Sequence, residues 1–191
     1  YSKTPAPVDK MRLIYEYAAR LVNEIQTQRE LASAENNELS VHPENMDTGM
    51  FLAEIASVYR LNDAARGKNL IVSPDSENVM MITEPTLLGR VIGNMLKNAL
   101  EASQKEETVT LKCAARGNDV EFSVMNPCFI PYDIQLQIFK RSFSTKGKNR
   151  GLGTYSIKLI TERYLKGSVF FTSSEESGTV FTISLPSDFT K

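Results

Sequence analysis

The chain has 191 residues, 41% of them hydrophobic and 24% charged, with 22 Lys and Arg against 23 Asp and Glu and a formal net charge of -1. The apolar fraction is enough for a true core, which excludes a disordered tail, a collagen-like repeat and a disulfide-stapled miniprotein. Near balance of charge excludes a protein that coats nucleic acid. No apolar run approaches the roughly 18 residues of a membrane span, the longest being Val79-Met80-Met81-Ile82. Cys113 and Cys128 have neither metal-ligand nor redox spacing and read as free thiols. A start at Tyr1, without signal-peptide layout, predicts a piece cut from a longer protein.

From Met11 the positions Met11, Ile14, Ala18, Leu21 and Ile25, continued by Gln28 and Ala32, recur at alternating steps of three and four. With no Gly or Pro before Ser40, this predicts one long amphipathic helix with a seam suited to another helix. A surface helix lying on its own domain has the same period, and spacing alone leaves both open. The polar stretch 36–47, with Pro43, predicts a linker. A helix capped by Asp47 or Thr48 follows, through Phe51, Ile55 and Tyr59 to near Gly67. A strand is expected over 69–73. Thr83 then offers a cap, with Pro85 in the first turn, for a helix to about Ser103.

Strands over 107–115 and 119–126 flank the turn Arg116-Gly117-Asn118. A helix over about 153–165 and strands over 168–173 and 179–185, around Gly178, complete the chain. Helices and hairpins mix without strict alternation. That predicts an α+β fold, a two-layer α/β sandwich with a mixed sheet covered by helices on one face. The expected division is 1–45, helix and linker, and 46–191, the sandwich.

On the helix containing Asn94-Met95-Leu96-Lys97-Asn98-Ala99-Leu100-Glu101, residues Asn94, Asn98 and Glu101 share one stripe. Leu88, Val91, Ile92, Met95 and Ala99 take the opposite arc, suited to a sheet. Two half-buried carboxamides are costly without polar partners, and an Asn oxygen suits Mg²⁺, which bridges phosphates. One Asn alone would read as solvated surface. Residues 138–150 are hydroxyl-rich and carry five cationic side chains, with Phe139 and Phe143 as aromatic anchors. Such a segment is expected to stay mobile until an anion arrives. Gly151-Leu152-Gly153-Thr154 then enters a helix, where backbone amides and the helix dipole favour phosphate.

In that order, Asn-x-x-x-Asn-Ala-x-x-Ala, a Phe-containing cationic lid and Gly-x-Gly opening a helix, the chain resembles the ATP-binding domain of sensor histidine kinases. Their superfamily includes DNA gyrase, the ninety-kilodalton heat-shock chaperone and the mismatch-repair ATPases. The likeness covers about residues 46–187, and the first helix is similar to the second helix of the dimerisation hairpin of such kinases. It implies a Bergerat-type ATP-binding fold with ATP between helices and lid. The implied site is Asn94, Asn98, Asn126, Ile130, Phe139, the lid residues Ser144, Thr145, Lys146 and Arg150, and then Gly151, Leu152, Gly153 and Thr154. Mg²⁺ falls to Asn98, phosphate or the metal's water shell to Asn94, the terminal phosphate to Lys146, and the phosphates to the second glycine box and the Thr154 amide. Where hydrolysing relatives carry a Glu base, this chain has Asn94, and an amide cannot take a proton at neutral pH. The site is therefore expected to hold ATP for attack by a histidine imidazole.

Two departures stand out. The family's adenine motif, Asp-x-Gly-x-Gly, corresponds to Val124-Met125-Asn126-Pro127-Cys128-Phe129-Ile130-Pro131, which has no aspartate and neither glycine. Ungapped anchoring on Ile130-Pro131 puts Met125 at the aspartate position, while a one-residue contraction puts Asn126 there. Asn126 is preferred because its oxygen can accept from the adenine amino group, as a neutral and weaker acceptor. The phosphoacceptor is also missing. The one His, His42, sits in the expected linker as a solvated loop residue, so the acceptor is expected upstream of Tyr1 and no catalytic residue lies in this stretch. The reading is an ATP- and Mg²⁺-dependent protein histidine kinase domain, cytoplasmic or the cytoplasmic portion of a membrane-tethered sensor. Its expected partners are a response-regulator receiver domain and, through the helical hairpin, a second copy, with no nucleic acid. The rival is a degenerate scaffold that binds nucleotide weakly or not at all. A stand-alone ATPase is disfavoured by Asn94.

Overall fold

The computed structural model describes residues 7–141 and 152–190. The chain divides into two compact units, Tyr1–Leu39 and Ser40–Lys191. The first is the helix α1 (Pro7–Glu35). It stops short of Ser40 because Asn37 adopts a left-handed φ of 60°, a conformation Asn tolerates. The amides of Asn36 and Glu38 fold back onto the carbonyls of Ala32 and Ser33. Its seam residues Met11, Ile14, Leu21 and Ile25 are exposed.

The second unit begins within the expected linker. Its last four residues form a strand, β1 (Glu44–Asp47), paired antiparallel with β3 (Met80–Thr83), so that Met46 faces Met81 and both are buried. A four-residue strand with one inward apolar side chain has no period to read, which is why the sequence suggested a linker. Asp47 caps α2 (Thr48–Arg60), accepting from the Met50 amide at 2.8 Å and from Asn78 Nδ2 at 3.2 Å. Those bonds, the Met50 amide first, hold its carboxyl below the usual carboxylate range. The helix ends at Arg60, before Gly67, and a 3₁₀ turn over Asp63–Ala65 follows.

The main sheet has five strands in the order β2 (Asn69–Val72), β4 (Thr108–Arg116), β5 (Asp119–Asn126), β7 (Gly178–Pro186), β6 (Ser168–Ser174). Strands β2 and β4 are parallel and the other neighbours antiparallel. Along β5 the period of two is plain: Val120, Phe122, Val124 and Asn126 are buried, while Met125 is 42% exposed on the opposite face. The helices α2, α3 (Pro85–Ala102) and α5 (Gly153–Arg163) pack on this sheet, with Phe51 of α2 edge-on to Phe122 at 6.4 Å between ring centroids. A short helix, α4 (Tyr132–Gln135), follows β5. Phe122, Leu88, Ile92, Leu96, Leu111 and Ile183 are fully buried, each contributing roughly 1.5–3 kcal/mol. This is the expected two-layer α+β sandwich.

Candidate functional site

Helix α3 is fixed at its start and along one side. Thr83, expected as its cap, is the buried last residue of β3; the cap is Glu84, whose carboxylate accepts from the Leu87 amide, with Pro85 in the first turn. Glu matches no usual capping preference, so sequence pointed to its neighbour. Burial of Leu88, Val91, Ile92, Met95, Leu96 and Ala99 then sets the roll of the helix. Asn94 and Asn98 land at the half-buried margin, and Lys97 between them is exposed.

The Asn98 carboxamide turns onto the first residue of α5. A methyl group placed on Gly153 would lie 3.6 Å from both Nδ2 and Oδ1 of Asn98. Leu152, at the N-cap of α5, makes no side-chain hydrogen bond to the first-turn amides. A half-buried hard oxygen therefore lies beside a helix start without a side-chain cap, which suits an anion with its counter-cation.

Ile138 and the first turn of α5 are tied together. The Thr154 hydroxyl donates to the Ile138 carbonyl. Phe139 packs edge-on against Phe171 and Phe181, at 5.7 and 6.1 Å, while those two rings stack at 5.3 Å. The Lys158 ammonium sits 5.9 Å from the Phe139 ring centre. Phe139 thus serves as a packing anchor on β6 and β7. Ser144, Thr145, Lys146, Arg150 and Gly151 lie outside the described residues.

At the other end, Asn126 shares the face of Phe122 and Val124, at 5% exposure. The loop after it is held by hydroxyls that sequence reasoning missed. The Ile130 amide donates to Ser173 Oγ at 2.9 Å, Ser173 Oγ and Thr179 Oγ1 are 2.7 Å apart, and Thr179 donates to the Cys128 carbonyl at 2.6 Å. Gln135 Nε2 adds a bond to the Ile130 carbonyl at 2.7 Å. Gly178, at φ +71°, faces the backbone so closely that a Cβ would lie 2.3 Å from the Asn126 carbonyl oxygen. The pair Gly178-Thr179 was the available signal, but its partners lie about fifty residues away. A cavity of about 370 Å³ at this sheet end is lined by Thr108, Met125, Asn126, Pro127 and 175–178; it reaches none of Asn94, Asn98 or Gly153.

Residues 83–188, spanning β3 to the end of the sheet, match the family model described as histidine kinase-, DNA gyrase B-, and HSP90-like ATPase. The chain belongs to that family. The heme sensor protein HssS of Staphylococcus aureus is 29% identical over 128 residues, covering 65% of this chain and 28% of that protein. The chain thus spans 28% of the length of these curated relatives. Full-length ShkA, solved in complex with AMPPNP, superposes with a TM-score of 0.81 at 18% identity, over 97% of this chain and 40% of that one. The histidine kinase ThkA, in complex with the response regulator protein TrrA, gives 0.77 at 19% identity, over 99% and 54%. The family is that of these ATPases, and the fold is that of histidine kinase catalytic domains.

Proposed function

We propose that this domain binds ATP with Mg²⁺ between α3 and α5 and presents its γ-phosphoryl group to a histidine on a dimerisation hairpin, for passage onward to a response-regulator aspartate. The observation that carries the reading is the Asn98 carboxamide against Gly153, beside the uncapped start of α5 and one turn from Asn94. This donor set fits the metal: Asn98 offers a neutral hard oxygen, and the first-turn amides offer donors to phosphate. Asn98 would hold the Mg²⁺, which would offset the charge of the transferring group.

The chain's own residues bind and orient. Asn94 carries no proton-accepting carboxylate, so it cannot act as the base for a water. The histidine nitrogen forms the new bond to phosphorus, the bond to the bridging oxygen breaks, and ADP leaves. In this reading Lys146 meets the terminal phosphate, and Arg150 belongs to the same nucleotide site. In this reading the first unit, Tyr1–Leu39, rather than the expected 1–45, belongs to the hairpin, and the exposed seam of α1 meets helices of a second copy. Among the described residues no helix is long and apolar enough to cross a membrane; the reading assigns this catalytic portion to the cytoplasmic side. The complex of ThkA with TrrA supports a response regulator as partner.

Titration with AMPPNP, with and without Mg²⁺, tests the reading. Metal-dependent binding that Asn98→Ala removes supports it, as does phosphate transfer to a hairpin histidine in the longer protein. No binding at millimolar nucleotide favours the scaffold, the alternative raised by the altered adenine motif.

A further inference from the structure

The proposed nucleotide has a direction along α3. The loop after Asn126, the expected base end, touches the last turn of the helix, where Cys128 Sγ lies 2.8 Å from the Ala102 carbonyl oxygen. Asn98, beside Gly153, comes one turn earlier, and Asn94 one turn before that. At 1.5 Å of rise per residue, each of these steps is about 6 Å. A nucleotide with its base near Ala102 and its phosphates at Asn98 therefore points its terminal phosphate toward the N-terminal half of α3.

The next position on that line is Arg90, four residues before Asn94 on the same stripe. Side chains on a helix lean toward its N-terminus, so Arg90 extends the line beyond Asn94 instead of folding back over Asn98. Arg90 is half-buried. A guanidinium partly withdrawn from water needs an acceptor. Arg60 and Lys68 show the usual outcome, with Arg60 Nε donating to the Leu70 carbonyl at 2.9 Å and Lys68 Nζ to the Leu100 carbonyl. Among the described residues no ion pair or hydrogen bond engages Arg90. The carboxylate nearest in sequence, Glu84, is committed to the Leu87 amide.

We infer that Arg90 binds the terminal phosphate of the nucleotide, its planar N–H donors meeting oxygens that a diphosphate lacks. The inference rests on the nucleotide-binding reading above and adds a residue that distinguishes the reacting triphosphate from its diphosphate product. Lys146, placed at the same group in that reading, remains when Arg90 is removed, so a loss of about three- to tenfold is expected.

The test measures Mg²⁺-dependent binding of AMPPNP and ADP to the chain and to four variants. Arg90→Ala should lower the AMPPNP-to-ADP affinity ratio about three- to tenfold, with ADP binding unchanged. Arg90→Gln, which keeps polarity and most of the length, should do the same and decides the matter if the alanine variant folds poorly. Arg90→Lys should retain most of the ratio, because the charge stays. Lys97→Ala, on the exposed side of the stripe, should leave the ratio as it is. Normal ADP binding with an unchanged ratio in Arg90→Ala and Arg90→Gln overturns the inference and leaves nucleotide binding standing. An equal loss of both nucleotides in these two variants also overturns it, since Arg90 would then support the fold and not the terminal phosphate. Failure of the unsubstituted chain to bind either nucleotide overturns both readings.

Discussion

On the α3–α5 side, Asn94 and Asn98 ride on a helix whose place is set by other residues, the buried arc from Leu88 to Ala99. On the β5–β7 side, residues near Asn126 hold the loop themselves, through Ser173, Thr179 and the close approach of Gly178. If the proposed nucleotide site holds, recognition and stability are separable at the first end and entangled at the second. The first would then lose a binding side chain and keep its shape, whereas at the second the proposed binding surface and the structural support are the same atoms.

Gly178→Ala probes the entangled end most severely. The left-handed φ costs about 1–2 kcal/mol for a residue with a Cβ, and the Asn126–Pro127 backbone must also move; a total loss of about 3 kcal/mol is expected by chemical denaturation. Gly117→Ala is its control, with φ +63° and nothing within 4 Å of the added carbon, so about 1 kcal/mol is expected. Equal losses would show that the close approach contributes nothing. Asn98→Ala probes the separable end. Calorimetry should show a loss of about 2 kcal/mol in Mg²⁺-dependent nucleotide binding, with a melting temperature within a degree or so of the parent. A large fall in melting temperature would break the contrast.

Ser173→Ala should move both readouts. It leaves the Ile130 amide without its acceptor, destabilising the fold by about 1 kcal/mol and weakening nucleotide binding several-fold. Binding that is unaffected would place the loop outside the nucleotide's reach. The smallest change is expected for Lys97→Ala. Its side chain is exposed between the two amides, so stability should shift by less than about 0.5 kcal/mol. Affinity falling tenfold would give that ammonium a phosphate contact.

The same contrast explains what the sequence made legible. Helix α3 could be read because its apolar arc repeats at 3.6 residues and its amides fall in the gap of that arc. β5 could be read because its burial alternates. β1 and β3 could not: each spans four residues, buries only one or two of them, and pairs with a partner more than thirty positions away. Ser173 was silent for a related reason, since a strand hydroxyl looks alike whether it meets water or a distant amide. Even the cap of α3 was misplaced by one residue, because Glu84 does a task usually given to shorter side chains.

The parallel pairing of β2 with β4 has a consequence for how the site comes into being. A parallel pair cannot be closed by a tight turn, so the chain must leave β2, pass through β3 and the whole of α3, and return as β4. The hairpins β4–β5 and β6–β7 are local and can zip early, whereas the amide-bearing helix lies inside a long excursion between neighbouring strands of the sheet. During refolding, strand signal should recover before the ability to capture nucleotide, and the newborn chain would pass through a form with a sheet but no grip on phosphate.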